Sequence, residues 1–254
     1  FMLLLFALIF RAIAIEFRSK LSKSWWRRLW DTSFCLSSIL SSLLIGVALG
    51  NIALGIPLNK EFNFRGSFWS LLNPYALMVG ITTVALFMMH GAIYMALKTE
   101  GELHHKVRGW INNAIVFFVI CYIIITIATI LYVPHMTVNL ISYPLLFIIP
   151  LFNILAIINI PREIHHRRDF RAFLSSCGSL AALMALFGIG MYPNMVYSHP
   201  LTENSLTIYN AASSPKTLEI MLIIALLGIP LVISYTIAIY KIFRGKVKLD
   251  SSSY

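Results

Sequence analysis

The sequence predicts an all-α integral membrane protein, a polytopic bundle of transmembrane helices. Hydrophobic residues make up 59% of the 254 residues, charged residues make up only 12%, and the mean hydropathy is +0.81. Soluble domains hold about half apolar and about a quarter charged residues, so this composition indicates a chain that lies in a bilayer. The spans are predicted to be helices, because a lipid-exposed backbone must satisfy its own hydrogen bonds.

The basic residues alternate along the chain and predict its orientation. Sixteen of the 20 Lys and Arg residues lie in four short connectors, within residues 18–28, 98–108, 162–171 and 241–248. The other connectors hold only Lys60, Arg65 and Lys216. By the positive-inside rule, the basic connectors and the C-terminus are predicted to face the cytoplasm. Membrane orientation and anionic headgroups therefore explain the net charge of +10, and we expect no nucleic-acid partner.

Seven apolar spans are predicted, each near the roughly 20 residues that cross a bilayer as a helix. They are Phe1–Phe17, Ser33–Pro57, Pro74–Leu97, Ile111–Val133, Val138–Ile160, Ala172–Tyr192 and Leu218–Ile242. We expect them to form a single helix-bundle domain over residues 1–254. The first span is the shortest and begins at Phe1, so we expect the start of the sequence to be absent.

Small residues and prolines predict local features of these spans. Gly46, Gly50 and Gly55 form a small-residue stripe with a Gly-x-x-x-Gly start, which lets a neighbouring helix approach closely. Three prolines are expected to bend or locally unwind their helices, because proline lacks the backbone N–H. They are Pro144, Pro150 and Pro230.

Three ionisable side chains inside the spans are candidate functional groups. Arg11 lies within the first span and must either extend to the interface or pair inside protein. With Glu16, and Lys20 as the i+4 partner of Glu16, it predicts a polar cluster at the inner membrane face. His90 is alone deep in another span, and we expect it to form a structural hydrogen bond, since no second facing histidine suggests haem ligation.

Two Glu-x-x-His patterns, Glu102 with His105 and Glu163 with His166, have the spacing used by di-iron carboxylate bundles. A di-iron membrane oxidase is therefore one alternative function. Both patterns lie in basic connectors without the two further carboxylates that such a site needs, so we interpret them as solvated surface turns and expect no metal. A small-molecule transporter or channel is the other alternative, although such proteins generally carry ionisable groups near mid-membrane.

Several strings resemble a known family in the same order along nearly the whole chain. They are FRAIAIEFR at residues 10–18, Trp30-Asp31, LKTEGEL at residues 97–103, GIGMYPN at residues 188–194 and FRGKV at residues 243–247. Together they resemble subunit II of the cytochrome bd quinol oxidases. The LKTEGEL string is the most specific of them.

The resemblance implies a fold of nine transmembrane helices and a membrane heterodimer with a similarly folded subunit I. The seven spans would be the third to ninth helices, so about two N-terminal helices would be absent. Subunit I would hold the b and d haems and oxidise quinol with oxygen as acceptor. This chain would stabilise subunit I, have no catalytic residues and bind no haem, with a structural quinone in some members and small accessory helices as further partners.

The resemblance also implies which polar residues have a structural or assembly role. They are Arg11, Glu16, Arg18, Asp31, Lys98, Glu100, Glu102, Asn194 and Arg244. Two positions depart from the family pattern: His90 stands where an apolar residue is expected, and Asn210 replaces an expected aspartate. The resemblance therefore predicts a respiratory-chain subunit in the bacterial cytoplasmic membrane.

Overall fold

The computed structural model describes residues 2–246. Three residues used in the predictions lie outside the described residues: Phe1 of the first span, Val247 of the FRGKV string and Lys248 of the last basic connector. Eight α-helices make up most of this part of the chain: α1 Met2–Arg18, α2 Ser24–Leu54, α3 Pro74–Lys98, α4 Gly101–Tyr132, α5 His135–Ser142, α6 Ile148–His165, α7 Asp169–Met191 and α8 Pro215–Ile242. Two short antiparallel strands, β1 Asn194–Val196 and β2 Leu206–Thr207, pair in the connector before α8.

The predicted polytopic helical fold is confirmed, with one difference in the number of spans. In the described residues, six helical segments are long and apolar enough to cross a membrane: Ser24–Leu54, Pro74–Lys98, Gly101–Tyr132, Pro144–His165, Asp169–Met191 and Pro215–Ile242. The predicted count of seven is one higher. The difference is the first predicted span, which corresponds to α1, because the 17 residues of α1 are too few to be counted with these six. At a rise of 1.5 Å per residue α1 is about 25 Å long, somewhat less than the roughly 30 Å of hydrocarbon.

The fifth predicted span starts too early. Instead of one helix from Val138, α5 ends at Ser142, a 3-10 turn covers Pro144–Phe147, and α6 follows. Proline disfavours helical geometry in the residue before it, so the predicted break at Pro144 is confirmed. Pro150 does not interrupt α6, because it lies in the first turn, where its missing N–H needs no partner. The helix α8 also continues through Pro230.

The core is a four-helix bundle of α3, α4, α6 and α7. Helix α2 packs on α3, α1 packs on α2, and α5 packs against α7. The connectors α1–α2, α3–α4 and α6–α7 and the end of α8 lie at one end of the molecule, which we call the basic end; the other end is the opposite end. Within the described residues, α8 contributes no buried residue.

The predicted close approach of small residues is found between α2 and α3. A Cβ atom on Gly46 would lie 2.6 Å from Gly80 Cα, and one on Gly50 would lie 2.7 Å from Ala76 Cα. Both distances are far below van der Waals contact, so only glycine fits at these two positions. Gly55 has a different role: it ends α2 with a φ of 102°, a conformation that glycine adopts easily.

Candidate functional site: polar clusters of the helix bundle

The first cluster lies at the basic end of the α1–α2 hairpin. Arg18 Nε donates to Asp31 Oδ1 at 2.6 Å, with both side chains about half exposed. Trp26 Nε1 donates to the Phe17 carbonyl at 2.7 Å, which caps the end of α1. Trp30 packs its ring against both aromatic rings, at centroid distances of 5.1 Å and 5.6 Å. This hairpin end is therefore ordered by one ion pair and an aromatic cluster.

The predicted inner-face cluster of Arg11, Glu16 and Lys20 is not joined by ion pairs within the described residues. The neighbouring Arg18 and Asp31 meet instead. Arg11 lies seven residues before Arg18, about 10 Å along α1 by the rise per residue, and its guanidinium carbon is 5.7 Å from the Phe34 ring centroid. Arg11 and Glu16 are both exposed. The expected Glu16–Lys20 pair is not among the ion pairs of the described residues, since α1 ends before Lys20 and the i+4 geometry is lost.

The second cluster joins the α3–α4 connector to the end of α8. Lys98 Nζ donates to the carbonyl oxygens of Phe243 and Gly245, at 2.9 Å and 3.2 Å. Glu100 lies 3.9 Å from the Lys246 ammonium. Arg244 stands between the two residues whose carbonyls accept from Lys98. Lys98 thus binds the carbonyl of Phe243, the C-cap residue of α8, and that of Gly245 in the segment that follows, and it holds α8 at this end.

Glu102, in the same connector, has a local role. Its carboxylate lies 2.7 Å from Lys106 one turn later on α4, and both side chains are mostly exposed. Exposed i,i+4 pairs stabilise a helix by only about 0.3–0.5 kcal/mol. Glu102 and His105 are exposed as expected, but they belong to the first turns of α4 and not to a turn between helices.

The α6–α7 turn corrects the interpretation of the second Glu-x-x-His pattern. Arg108 of α4 donates through Nη1 to Asp169 Oδ1 at 2.7 Å, with both side chains about one-fifth exposed, and through Nη2 to the Ile164 carbonyl. Glu163 is only 5% exposed, so a solvated turn was the wrong interpretation for this residue. His166 is exposed, so the two side chains of this pattern lie in different environments.

The described residues contain no group of three or more His, Cys, Asp or Glu side chains that could hold a metal ion. Of the two carboxylates in the Glu-x-x-His patterns, that of Glu102 pairs with Lys106, whereas Glu163 Oε2 is buried without a hydrogen-bond partner among the described residues. The arrangement needed by a di-iron centre, with four carboxylates and two histidines facing one another, is therefore not formed by these residues.

A neutral polar network crosses the middle of the bundle. Ser179 donates to Asn153 Oδ1 at 2.8 Å, and Asn153 Nδ2 donates to the Tyr122 hydroxyl at 3.0 Å. His90 Nδ1 lies 2.9 Å from Ser176 Oγ, and its ring packs on Phe173 at 5.1 Å. The predicted hydrogen-bonding role of His90 is confirmed. The Asn153 network was missed, because an isolated Asn in an apolar run does not reveal its partners.

At the opposite end, the connector after α7 folds over the ends of α2 and α4. Asn194 begins β1 and pairs with Thr207 of β2. Asn210 Oδ1 accepts from the Thr207 N–H at 2.7 Å, and Asn210 Nδ2 donates to the Ser205 carbonyl at 2.9 Å. A carboxylate at position 210 could only accept, so the amide adds a donor that holds this turn.

The comparison with protein families decides the identity of the chain. The sequence model of the family described as Cytochrome bd terminal oxidase subunit II matches residues 1–243. The chain belongs to this family. It is therefore a multi-pass membrane protein and a subunit of a bd-type quinol oxidase complex.

Individual relatives agree with this assignment. The chain is 28% identical to cytochrome bd-I ubiquinol oxidase subunit 2 of Escherichia coli K12, over 96% of this chain and 73% of that protein. It is 27% identical to cytochrome bd ubiquinol oxidase subunit 2 of Bacillus subtilis, over 97% of this chain and 72% of that protein. The solved bd oxidase from Geobacillus thermodenitrificans has the same fold, with a TM-score of 0.75, 14% identity and coverage of 95% of this chain and 72% of that one.

Proposed function

We propose that this bd-oxidase subunit packs against the haem-bearing subunit I and stabilises it, and that it contributes no catalytic residue of its own. Electrons would pass from quinol to the b and d haems of subunit I and then to oxygen. The proposal rests on family membership and on the charge and hydrogen bonding of the buried polar side chains in this chain. Its buried polar network is neutral and hydrogen-bonded, which suits helix packing.

The exposed face of α1 is one surface that we propose meets subunit I. Arg11 and Glu16 are exposed there, inside or next to the hydrocarbon layer. A guanidinium facing lipid is costly, whereas one that meets acceptors on another protein is satisfied. We assign the family-matched polar residues Arg18 and Asp31 the role of holding the hairpin that presents this face, through their ion pair.

The helix α8 is the second surface. Its 28 residues include none that the rest of the chain buries, yet Lys98 fixes its basic end through two carbonyls. A helix held in place but not packed on its own bundle is suited to contact a partner through van der Waals packing. The family-matched Lys98, Glu100 and Arg244 would then act by positioning α8, and Asn194 by starting the strand pair before it.

The experiment compares Arg11→Leu with Arg28→Leu in the purified two-subunit complex. Removing a charge that pairs in an interface costs about 3 kcal/mol, or about 100-fold in association. We expect Arg11→Leu to lower the amount of subunit I and of haem recovered with this chain. Arg28 is an exposed residue of the basic connector, and its variant should behave like the parent. Equal haem content and oxygen uptake in all three complexes would exclude this role for Arg11.

We also propose that the basic end faces the cytoplasm of a bacterial cell. The alternation of basic connectors supports this orientation. Introduced cysteines test it: a membrane-impermeant thiol reagent added to intact cells should label Lys60→Cys and leave His165→Cys unlabelled until the cells are opened. Labelling of the second variant in intact cells would reverse the orientation.

The proposed division between the two subunits also assigns a place to each ligand and partner of the complex. We propose that quinol and oxygen react at subunit I, that lipid surrounds the outer faces of this chain, and that a structural quinone and small accessory helices are its further partners. Extraction and identification of the quinones and chains that co-purify with the complex test this assignment.

A further inference from the structure

A groove lined almost entirely by apolar side chains lies between α3 and α4 on the outside of the bundle. Its volume is about 580 Å³, within the range of about 300–1,000 Å³ that is typical of ligand sites. Phe87 and Met95 of α3 and Trp110 and Phe117 of α4 are among its lining residues, and each is 40–59% exposed. The lining includes no residue of α1 or α8, the two surfaces proposed to meet subunit I.

A glycine leaves part of this groove open. Gly91 of α3 lines it, and a Cβ atom added there would meet no atom of the described residues within 4 Å. The glycines of the α2–α3 contact differ, since a Cβ on Gly46 or Gly50 would lie against the neighbouring helix. The space beside Gly91 is therefore available to a molecule that is not part of this chain.

The length and position of the groove match one leaflet of a bilayer. Along α4 the lining runs from Val107 to Phe117, which is about 15 Å at a rise of 1.5 Å per residue. Half of a hydrocarbon layer of about 30 Å has the same length. The groove begins near the basic end, because Met95 lies three residues before the end of α3 at Lys98. An extended acyl chain from the leaflet at the basic end would thus lie along it.

Cations surround the end of the groove where a lipid headgroup would lie. Lys106 is one helical turn before Trp110 on the same face of α4, and its side chain is 61% exposed although it pairs with Glu102. Lys98 holds the segment after α8, which carries Lys246 to the same connector. Tryptophan rings favour the headgroup layer, and lysines near the membrane surface attract anionic lipids.

We propose that this groove binds one acyl chain of an anionic phospholipid from the leaflet at the basic end, with its phosphate beside Lys106 and Trp110. Such a lipid matches both parts of the surface. Its chain fills the apolar groove through van der Waals contacts, and its phosphate meets the cations at the outer end. The site does not depend on the contacts with subunit I that we propose for α1 and α8.

The test counts the phospholipids that stay bound to the purified two-subunit complex. Complexes are placed in nanodiscs with equal amounts of phosphatidylglycerol and phosphatidylcholine, extracted into detergent and measured by native mass spectrometry. Gly91→Leu puts a side chain into the groove, and overpacking of this kind should lower the occupancy of one lipid at least about fivefold. Gly188→Leu is the matched control, because Gly188 is an exposed helical glycine of α7 whose Cβ would also meet no atom within 4 Å.

A second variant tests the headgroup. Lys106→Gln keeps the groove but removes a cation, so the preference of the retained lipid for phosphatidylglycerol over phosphatidylcholine should fall about fivefold. Lys23→Gln, at an exposed lysine of another basic connector, should keep the preference of the parent. If Gly91→Leu does not assemble, the parent and the Lys106→Gln complex decide the question by themselves.

Four results would overturn the proposal. The parent could retain no more phospholipid than Gly91→Leu, or Gly91→Leu could lose a quinone and keep its phospholipids. Gly91→Leu could instead lose subunit I and haem with an unchanged lipid count, which would make the groove a protein contact. An unchanged preference for phosphatidylglycerol in Lys106→Gln would refute the assigned position of the phosphate.

Discussion

Replacing Asn153 by leucine should destabilise the bundle by breaking its central polar network. The residue is completely buried, accepts from Ser179 and donates to Tyr122. Interhelical hydrogen bonds in membranes contribute on average about 0.6 kcal/mol and at most about 1.7 kcal/mol each. Two lost bonds, with a phenol and a serine hydroxyl left to find other partners, give a cost of about 2 kcal/mol. Leucine has a similar volume, so this cost is mainly polar.

The assay is thermal unfolding of the purified complex in detergent, and we expect a melting temperature about 4–8 °C below that of the parent. The matched control is Asn113→Leu, because Asn113 is an exposed amide on the outer face of α4. The double variant Asn153→Leu with Ser179→Ala should recover part of the loss, since it removes one of the groups left unpaired. Equal melting temperatures for Asn153→Leu and Asn113→Leu would refute the assignment of stability to this network.

Further variants test the basic end and the α2–α3 contact. Arg108→Met leaves Asp169 largely buried without its cation and should lower the free energy of unfolding by about 2 kcal/mol. Adding Asp169→Asn in the same chain should recover most of this loss, and a double-mutant cycle measures the coupling. Gly50→Ala places a Cβ 2.7 Å from Ala76 Cα, so it should cost about 1–3 kcal/mol in thermal unfolding, and unchanged stability would mean that the helices are not this close. Lys98→Met should raise amide exchange at the end of α8 only.

Features that depend on local chemistry followed directly from the sequence. The spans were predicted because apolar side chains and an unsatisfied backbone have only one low-energy solution in hydrocarbon. The break at Pro144 and the close approach at Gly46 and Gly50 were predicted because a missing N–H and a missing Cβ act on their immediate surroundings. The same local reasoning failed for the start of the fifth span. Residues 138–147 are largely apolar, so they were assigned to the span, although they form the end of α5 and a 3-10 turn.

Contacts between distant residues were decided by the tertiary structure. Lys98 meets carbonyls 145 and 147 residues later, and Arg108 meets Asp169 61 residues later. The interpretation of Glu163 as solvated was wrong because burial depends on which helix packs over a connector.

The sequence by itself therefore determined that this chain is a helical membrane protein, where most of its helices run and which family it resembles, since hydropathy, charge alternation and short strings are properties of the chain. Only the tertiary structure decided that His135 meets Ala53 and Tyr197, that Asn153 joins three helices, and that α8 is held at one end and not packed on the bundle. The physical reason is that pairing depends on the distance between side chains in space, which helix packing sets and sequence separation does not.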